Sequence, residues 1–105
     1  CHFPVVSDEA DYRLLRRRDD LRKLVEKNSK IKIYVSGHTH RGALHSSSIR
    51  EDLTYVDTGS LTHRRNSYFY CLEIESERIT SAYAYTLKPE YDMGTKEIWM
   101  RTQNV

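Results

Sequence analysis

The strongest constraint on the fold is a run of alternating side chains, SYFYCLEIESERITSAYAYTL, at residues 67–87. Bulky apolar or aromatic residues alternate with other residues on both sides of a polar segment at 75–77. The first set is Tyr68, Tyr70, Leu72 and Ile74, and the second is Ile79, Tyr83, Tyr85 and Leu87. Such alternation is typical of strands with one buried face. We expect a hairpin over about residues 68–87 whose two sets form one continuous apolar face, and we expect it to be the most stable local unit.

A helical pattern precedes the hairpin. Ser7 is followed by two acidic residues, which is typical of a helix N-terminus. Three apolar residues then fall on one helical face: Leu14, Leu21 and Val25. The RRRDD run at 16–20 covers the opposite face and also fits a break between two short helices. We expect the helical segment to end at Asn28 and Ser29.

Strands are predicted on both sides of a polar stretch. KIKIYVSG at 30–37 predicts a strand with Ile31, Ile33 and Val35 on one face, and LTYVDTGS at 53–60 predicts a second strand that ends in a turn. The segment at 42–52 between them is interpreted as a mobile polar loop, and KEIWMRT at 96–102 as an edge strand. The fold class expected is therefore α/β: one N-terminal helical segment, then a mostly antiparallel or mixed sheet with a long hairpin.

Composition restricts the class of protein. The 105 residues suit one small domain, and 30% charged with 38% hydrophobic residues is typical of a soluble globular chain. A net charge of +2 is too small to argue for nucleic acid or an anionic membrane. Two cysteines do not form a disulfide framework, so we expect a reduced, cytoplasmic setting. Because motif-like residues begin at Cys1, we expect the chain to be part of a longer protein.

The stretch VSGHTHRG at 35–42 carries the functional argument. His38 and His40 lie two residues apart where a predicted strand ends, so their rings can point to the same side. Gly37 has no Cβ, which allows the backbone to turn sharply toward a common pocket. Neutral imidazole is a good ligand for Zn, Fe, Mn or Ni. These residues predict a transition-metal site, although two solvated loop histidines would also give the same pattern.

Three segments together resemble the calcineurin-like metallophosphoesterases. SGHTH at 36–40 resembles the GHxH signature of that family, and CHFPVV at 1–6 resembles its upstream histidine-and-proline motif. YVDTGSL at 55–61 resembles the family's next strand and its Gly-Ser turn. The resemblance runs from Cys1 to about Ile79. It implies that residues 1–105 are the C-terminal portion of a metallophosphoesterase α/β sandwich.

The resemblance also implies ligands and chemistry. His2 and His38 would bind one divalent metal ion and His40 a second, the ions being Mn, Fe, Zn or Ni. A metal-bridging hydroxide would then hydrolyse a phosphomonoester or phosphodiester, either a small molecule or a nucleotide. We expect all three rings to share one pocket. Arg41 and His63 are weaker candidates for contact with the substrate phosphate, whereas His45 is interpreted as solvated.

The family's acidic motifs are missing from this sequence. Asp-x-His, Gly-Asp-x-x-Asp and Gly-Asn-His-Asp/Glu supply the bridging aspartate and a catalytic histidine in the family, and none of them occurs here. We therefore identify no catalytic residue in residues 1–105, and we expect this chain alone to be inactive. One alternative is a non-catalytic scaffold of the same fold that binds proteins, which the three retained histidines argue against. Nucleic-acid binding is disfavoured by the balanced charge, and the oligomeric state is left open.

Overall fold

The structure, a computed structural model, describes residues 1–7, 15–60, 68–87 and 99–104. Within them lie one helix and six strands: α1 (Arg18–Lys27), β1 (Ile33–Ser36), β2 (Gly42–Ser46), β3 (Thr54–Thr58), β4 (Tyr68–Glu75), β5 (Arg78–Leu87) and β6 (Trp99–Asn104). The strands form two three-stranded sheets, in the orders β1-β3-β2 and β4-β5-β6. A mixed helix-and-sheet chain is thus confirmed. Within those ranges, no helix is both long and apolar enough to cross a membrane.

Helix α1 begins at Arg18, inside the RRRDD run. The predicted helix start after Ser7 stays a prediction, because the residues that follow Ser7 are outside the described ranges. Residues 8–14, which include the predicted core position Leu14, lie outside the described residues. Two aspartates in the first turn interact favourably with the helix dipole and stabilise the helix. Asn28 is the C-cap residue, so the helix ends where predicted. The helix buries Val25 against the first sheet.

The first sheet has β3 at its centre. Strand β1 runs parallel to β3, and β2 runs antiparallel to it. The N-terminal segment lies along the free edge of β1, because the Cys1 amine donates to Val35 O at 3.0 Å and Gly37 N–H donates to His2 O at 2.9 Å. Parallel strands end at the same edge of a sheet. The segments that follow β1 and β3 therefore meet there, beside His2.

The core lies between α1 and the first sheet. Its buried members are Val5, Val25, Leu53 and Tyr55, with partly buried Val6, Leu21, Ile31 and Tyr34 packed against them. Val35 of β1, on the face predicted for Ile31 and Ile33, is 46% exposed, whereas Tyr34 of the other face packs against the core. In the parallel register Tyr34 lies beside Tyr55, and their ring centroids are 6.0 Å apart. Because Tyr55 faces the helix, Tyr34 does so too, and Val35 is turned to the other side.

The predicted mobile loop at 42–52 is partly wrong, because its first half is strand β2. Ala43 and Leu44 pair with Asp57 and Val56 of β3, so the ladder supplies hydrogen bonds that a loop would lack. This strand was not predicted, because its short apolar pair lies between a glycine and several serines. The connection proper is confined to residues 47–53, which link β2 to β3.

Arg50 in that connection fixes the segment between α1 and β1. Its guanidinium lies 2.9–3.4 Å from five backbone carbonyl oxygens, those of Val25, Glu26, Asn28, Ser29 and Ile31. The same group binds both carboxylate oxygens of Asp52, at 3.0 and 3.1 Å. Hydrogen bonds from Arg50 and Lys32 hold the pKa of Asp52 well below its usual range. One arginine thus satisfies carbonyls that the helix end leaves without partners.

The predicted hairpin is confirmed, and its polar segment forms a two-residue turn. Ser76 and Glu77 connect β4 to β5 with φ angles of 48° and 64°. Two positive φ angles in a two-residue hairpin loop are typical of a type I′ turn, whose twist matches that of the flanking strands. The predicted edge strand is also present, as β6 paired antiparallel with β5.

The single apolar face predicted for the hairpin is wrong. Tyr85 lies opposite Phe69, with stacked rings 5.0 Å apart, whereas Tyr70 lies opposite Ala84. The cause is a β-bulge between Glu73 and Ile74, which adds one residue to β5. Beyond this bulge, the two predicted sets of apolar residues lie on opposite faces of the hairpin. An offset of one residue turns every side chain beyond it to the other face.

Candidate functional site

The site lies at the edge where β1 and β3 end. The segment after β1, residues 37–41, carries two of the predicted ligands and is called the histidine loop below. His2 is held beside it by the backbone bonds of the N-terminal segment. As a result, His2 Nε2 lies 3.0 Å from His38 Nδ1. Two residues 36 positions apart in sequence are thus brought together, as the resemblance implies.

Phe3 supports this pair of rings. Its ring centroid lies 4.9 Å from that of His2 and 4.6 Å from that of His38. The two imidazoles are 4.9 Å apart between centroids, with an interplanar angle of 72°. An aromatic neighbour on both rings limits their rotation and lowers the local polarity. The sequence analysis assigned no role to Phe3, which lies between His2 and Pro4 in the first motif.

The histidine loop has an unusual backbone. His38 has a φ of 74° and His40 a φ of 59°, both in the left-handed region. A residue with a Cβ occupies that region at a cost of roughly 1–2 kcal/mol. Such conformations persist where the surrounding structure imposes them, and they cluster at functional sites. Two residues with positive φ, one on each side of Thr39, indicate a loop whose backbone conformation serves the placement of its side chains.

The third predicted ligand does not join the His2–His38 pair as a metal group. His40 is exposed, in the same loop. Across residues 1–7, 15–60, 68–87 and 99–104, no group of three or more histidine, cysteine, aspartate or glutamate side chains is arranged to hold a metal ion. The described residues therefore supply two converging imidazoles. They do not assemble a complete set of ligands.

Thr39, between the two histidines, turns into the protein. Its side chain is 6% exposed, and its hydroxyl lies 2.5 Å from Asp57 Oδ2. Thr39 Oγ1 also accepts from the Arg41 N–H at 3.2 Å. The Thr39 N–H donates to Gly37 O at 2.9 Å. Thr39 thus links both ends of the histidine loop to β3, through its hydroxyl at Arg41 and through its backbone at Gly37.

Asp57 is the residue of this site that the sequence analysis missed. It is 4% exposed at the end of β3, in register with Ser36 of β1. Its Oδ1 accepts from the Gly59 N–H at 3.4 Å, so the carboxylate contacts the turns after both strands. Burial and, to a lesser extent, the Asp57 charge raise the pKa of Tyr70 in β4. The sequence feature that could have revealed Asp57 is an aspartate directly after Tyr55 and Val56 and immediately before Thr-Gly-Ser.

A polar cavity of about 220 Å³ adjoins the Thr39–Asp57 pair. It is lined by Ser7, Thr39, Arg41, Gly42, Ala43, His45 and Asp57. Arg41, a weaker candidate for substrate contact, is exposed at its rim, and His45, interpreted above as solvated, is half-buried within it. The other weak candidate, His63, lies outside the described residues.

The donor set fits part of a transition-metal centre. Two neutral imidazoles with facing nitrogens suit one borderline ion of the Zn, Fe, Mn or Ni type. They carry no negative charge, so the carboxylates that two divalent ions need must come from elsewhere. No protein family, curated protein or solved structure matches this chain.

Proposed function

We propose that this chain forms the C-terminal portion of a dinuclear metallophosphoesterase that hydrolyses phosphomonoesters or phosphodiesters. The proposal is carried by the 3.0 Å approach of His2 Nε2 to His38 Nδ1. Both residues belong to motifs that resemble those of the calcineurin-like metallophosphoesterases. The strained histidine loop at the ends of parallel strands supports the same function.

In this proposal the residues have distinct roles. His2 and His38 hold one divalent ion, and His40 contributes to a second. The acidic ligands come from the motifs that residues 1–105 lack. Bound ions of this kind polarise a phosphate ester and lower the pKa of bound water. Arg41 lines the polar cavity, and in this proposal it contacts a phosphate oxygen of a small substrate or a nucleotide.

Hydrolysis of bis(p-nitrophenyl) phosphate with excess Mn²⁺ tests the proposal. The full-length protein is compared with its His38→Ala variant and with Lys23→Ala, a control at an exposed position of helix α1 away from the cavity. We expect His38→Ala to lower kcat/KM at least a hundredfold, because it removes a proposed ligand, and Lys23→Ala to change it less than threefold. Equal activity of the His38→Ala variant and the unmodified protein would contradict the proposal and leave a non-catalytic scaffold as the better interpretation.

The same assay tests whether residues 1–105 form only part of the enzyme. We expect this chain alone to give no metal-dependent hydrolysis, since three neutral imidazoles offset none of the repulsion between two divalent ions. Metal-dependent turnover by the chain alone that His40→Ala abolishes would overturn this part of the proposal. The site would then be completed within residues 1–105.

A further inference from the structure

The histidine loop needs a device that holds its conformation. His38 and His40 both have positive φ angles, and neither is a glycine. Backbone hydrogen bonds fix the start of the loop, through Gly37 N–H to His2 O and Thr39 N–H to Gly37 O. A buried side-chain contact between the two left-handed residues adds a further constraint on their conformation.

Thr39 is the residue between them, and its buried hydroxyl makes the side-chain contact. That hydroxyl bonds the Asp57 carboxylate and the backbone of Arg41. A valine of the same shape would fill the space without the hydroxyl. It would also remove one hydrogen bond from a carboxylate that is 4% exposed, and losing a hydrogen bond to a buried charged group is unfavourable.

Asp57 is rigidly placed by the sheet. It pairs in register with Ser36 on one side and Ala43 on the other, at the centre of the first sheet. Its other oxygen accepts from Gly59 N–H in the turn after β3. The carboxylate is therefore a fixed point from which the flexible loop is oriented.

We infer that Thr39 and Asp57 are a positioning pair that sets the direction of the His38 and His40 rings through one buried hydrogen bond. This inference rests on the proposed function, because a change in ring direction alters metal affinity only if His38 and His40 are metal ligands. Neither residue is a ligand of the ion in this scheme. Hydrogen-bonded partners behind metal ligands typically change affinity by about 10–100-fold when removed.

Thr39→Val and Thr39→Ser in the full-length protein separate the hydroxyl from the shape of the side chain. Zn²⁺ affinity is measured by competition with a chromogenic chelator, and amide exchange at residues 38–42 is measured without metal. We expect Thr39→Val to weaken Zn²⁺ binding and to speed exchange, each at least tenfold. Thr39→Ser keeps the hydroxyl and should stay within threefold of the unmodified protein. Thr80→Val, at an exposed threonine of the hairpin, is the control for the substitution itself.

The outcomes distinguish this inference from the proposed function. Thr39→Val with unchanged Zn²⁺ affinity, or Thr39→Ser as weak as Thr39→Val, would overturn the positioning role. Should Thr39→Val unfold the protein, Asp57→Asn is used, and its unchanged Zn²⁺ affinity would equally overturn that role. An unmodified protein without Zn²⁺ affinity contradicts the proposed function instead. Exchange alone then decides: faster exchange in Thr39→Val supports the inference, and unchanged exchange overturns it.

Discussion

At the scale of single residues, the proposed function of the histidine loop needs an imidazole at a position where glycine would be more stable. His38 has a φ of 74°, which favours glycine over any residue with a Cβ. We expect His38→Gly to be more stable than His38→Ala by about 0.5–1 kcal/mol, although both remove the imidazole. The free energy of unfolding in urea measures this. At Lys23, in the middle of α1, glycine should instead be less stable than alanine by about 1 kcal/mol. The same order at both positions would show that His38 is not strained.

Arg50 is expected to be the most costly arginine to replace among those compared here. Lysine keeps the charge but has no planar fork to bind five carbonyls and a carboxylate together. We expect Arg50→Lys to lower the free energy of unfolding by about 2–3 kcal/mol, in line with lost hydrogen bonds to charged groups. Arg78→Lys, at an exposed position beside the hairpin turn, should change it by less than about 0.5 kcal/mol. Similar losses for both variants would contradict the role given to Arg50.

At the scale of elements, the hairpin turn can be improved. Ser76 and Glu77 both have positive φ angles, a conformation that Asn-Gly adopts more easily. We expect the double change Ser76→Asn with Glu77→Gly to raise the free energy of unfolding by about 1 kcal/mol. Thermal and urea unfolding check this. Glu75→Gly, one residue earlier in β4, should destabilise the protein, because a strand position gains nothing from glycine. A destabilised double variant would argue against the type I′ turn.

The same scale shows which elements a sequence can reveal. The hairpin was predictable from its alternating residues and its polar turn, and β3 from its apolar residues and the Thr-Gly-Ser that follows them. All of these signals are local in the sequence. Strand β2 was not predictable, since its hydrogen bonds come from β3, which follows later in the chain. The inward face of β1 was likewise set by its parallel partner, so Tyr34 rather than Val35 packs against the core. Pairing partners override local pattern in both cases.

At the scale of the whole molecule, buried tyrosines make the fold sensitive to high pH. Burial raises the pKa of Tyr34 and of Tyr70, and burial with the Glu26 charge raises the pKa of Tyr55 to about 12. The stability they contribute is complete below pH 10 and is lost as pH rises toward 12. We expect stability to fall above about pH 10, with part of the 295 nm tyrosinate absorbance appearing only on unfolding. Tyr55→Phe should show a shallower fall, and an unchanged slope would contradict this assignment.

The site combines local and long-range information in the same way. The resemblance suggested a pairing of His2 with His38, because each of their motifs is a short, local feature of the sequence. The motifs did not reveal Asp57, which matters through a buried hydrogen bond to a residue 18 positions earlier. A carboxylate at a strand end is common in sequences, and only its burial and its partner distinguish this one. Contacts that depend on tertiary packing were thus the part that sequence could not supply.

The bulge in the hairpin has a kinetic consequence for folding. Without the extra residue at Thr80, Tyr70 would lie opposite Tyr83, and the two aromatic sets would share one face. The chain therefore has a competing hairpin register, in which the aromatic residues of both strands pair on one face. We expect a slow refolding phase from molecules that first form this misaligned hairpin and must reopen it.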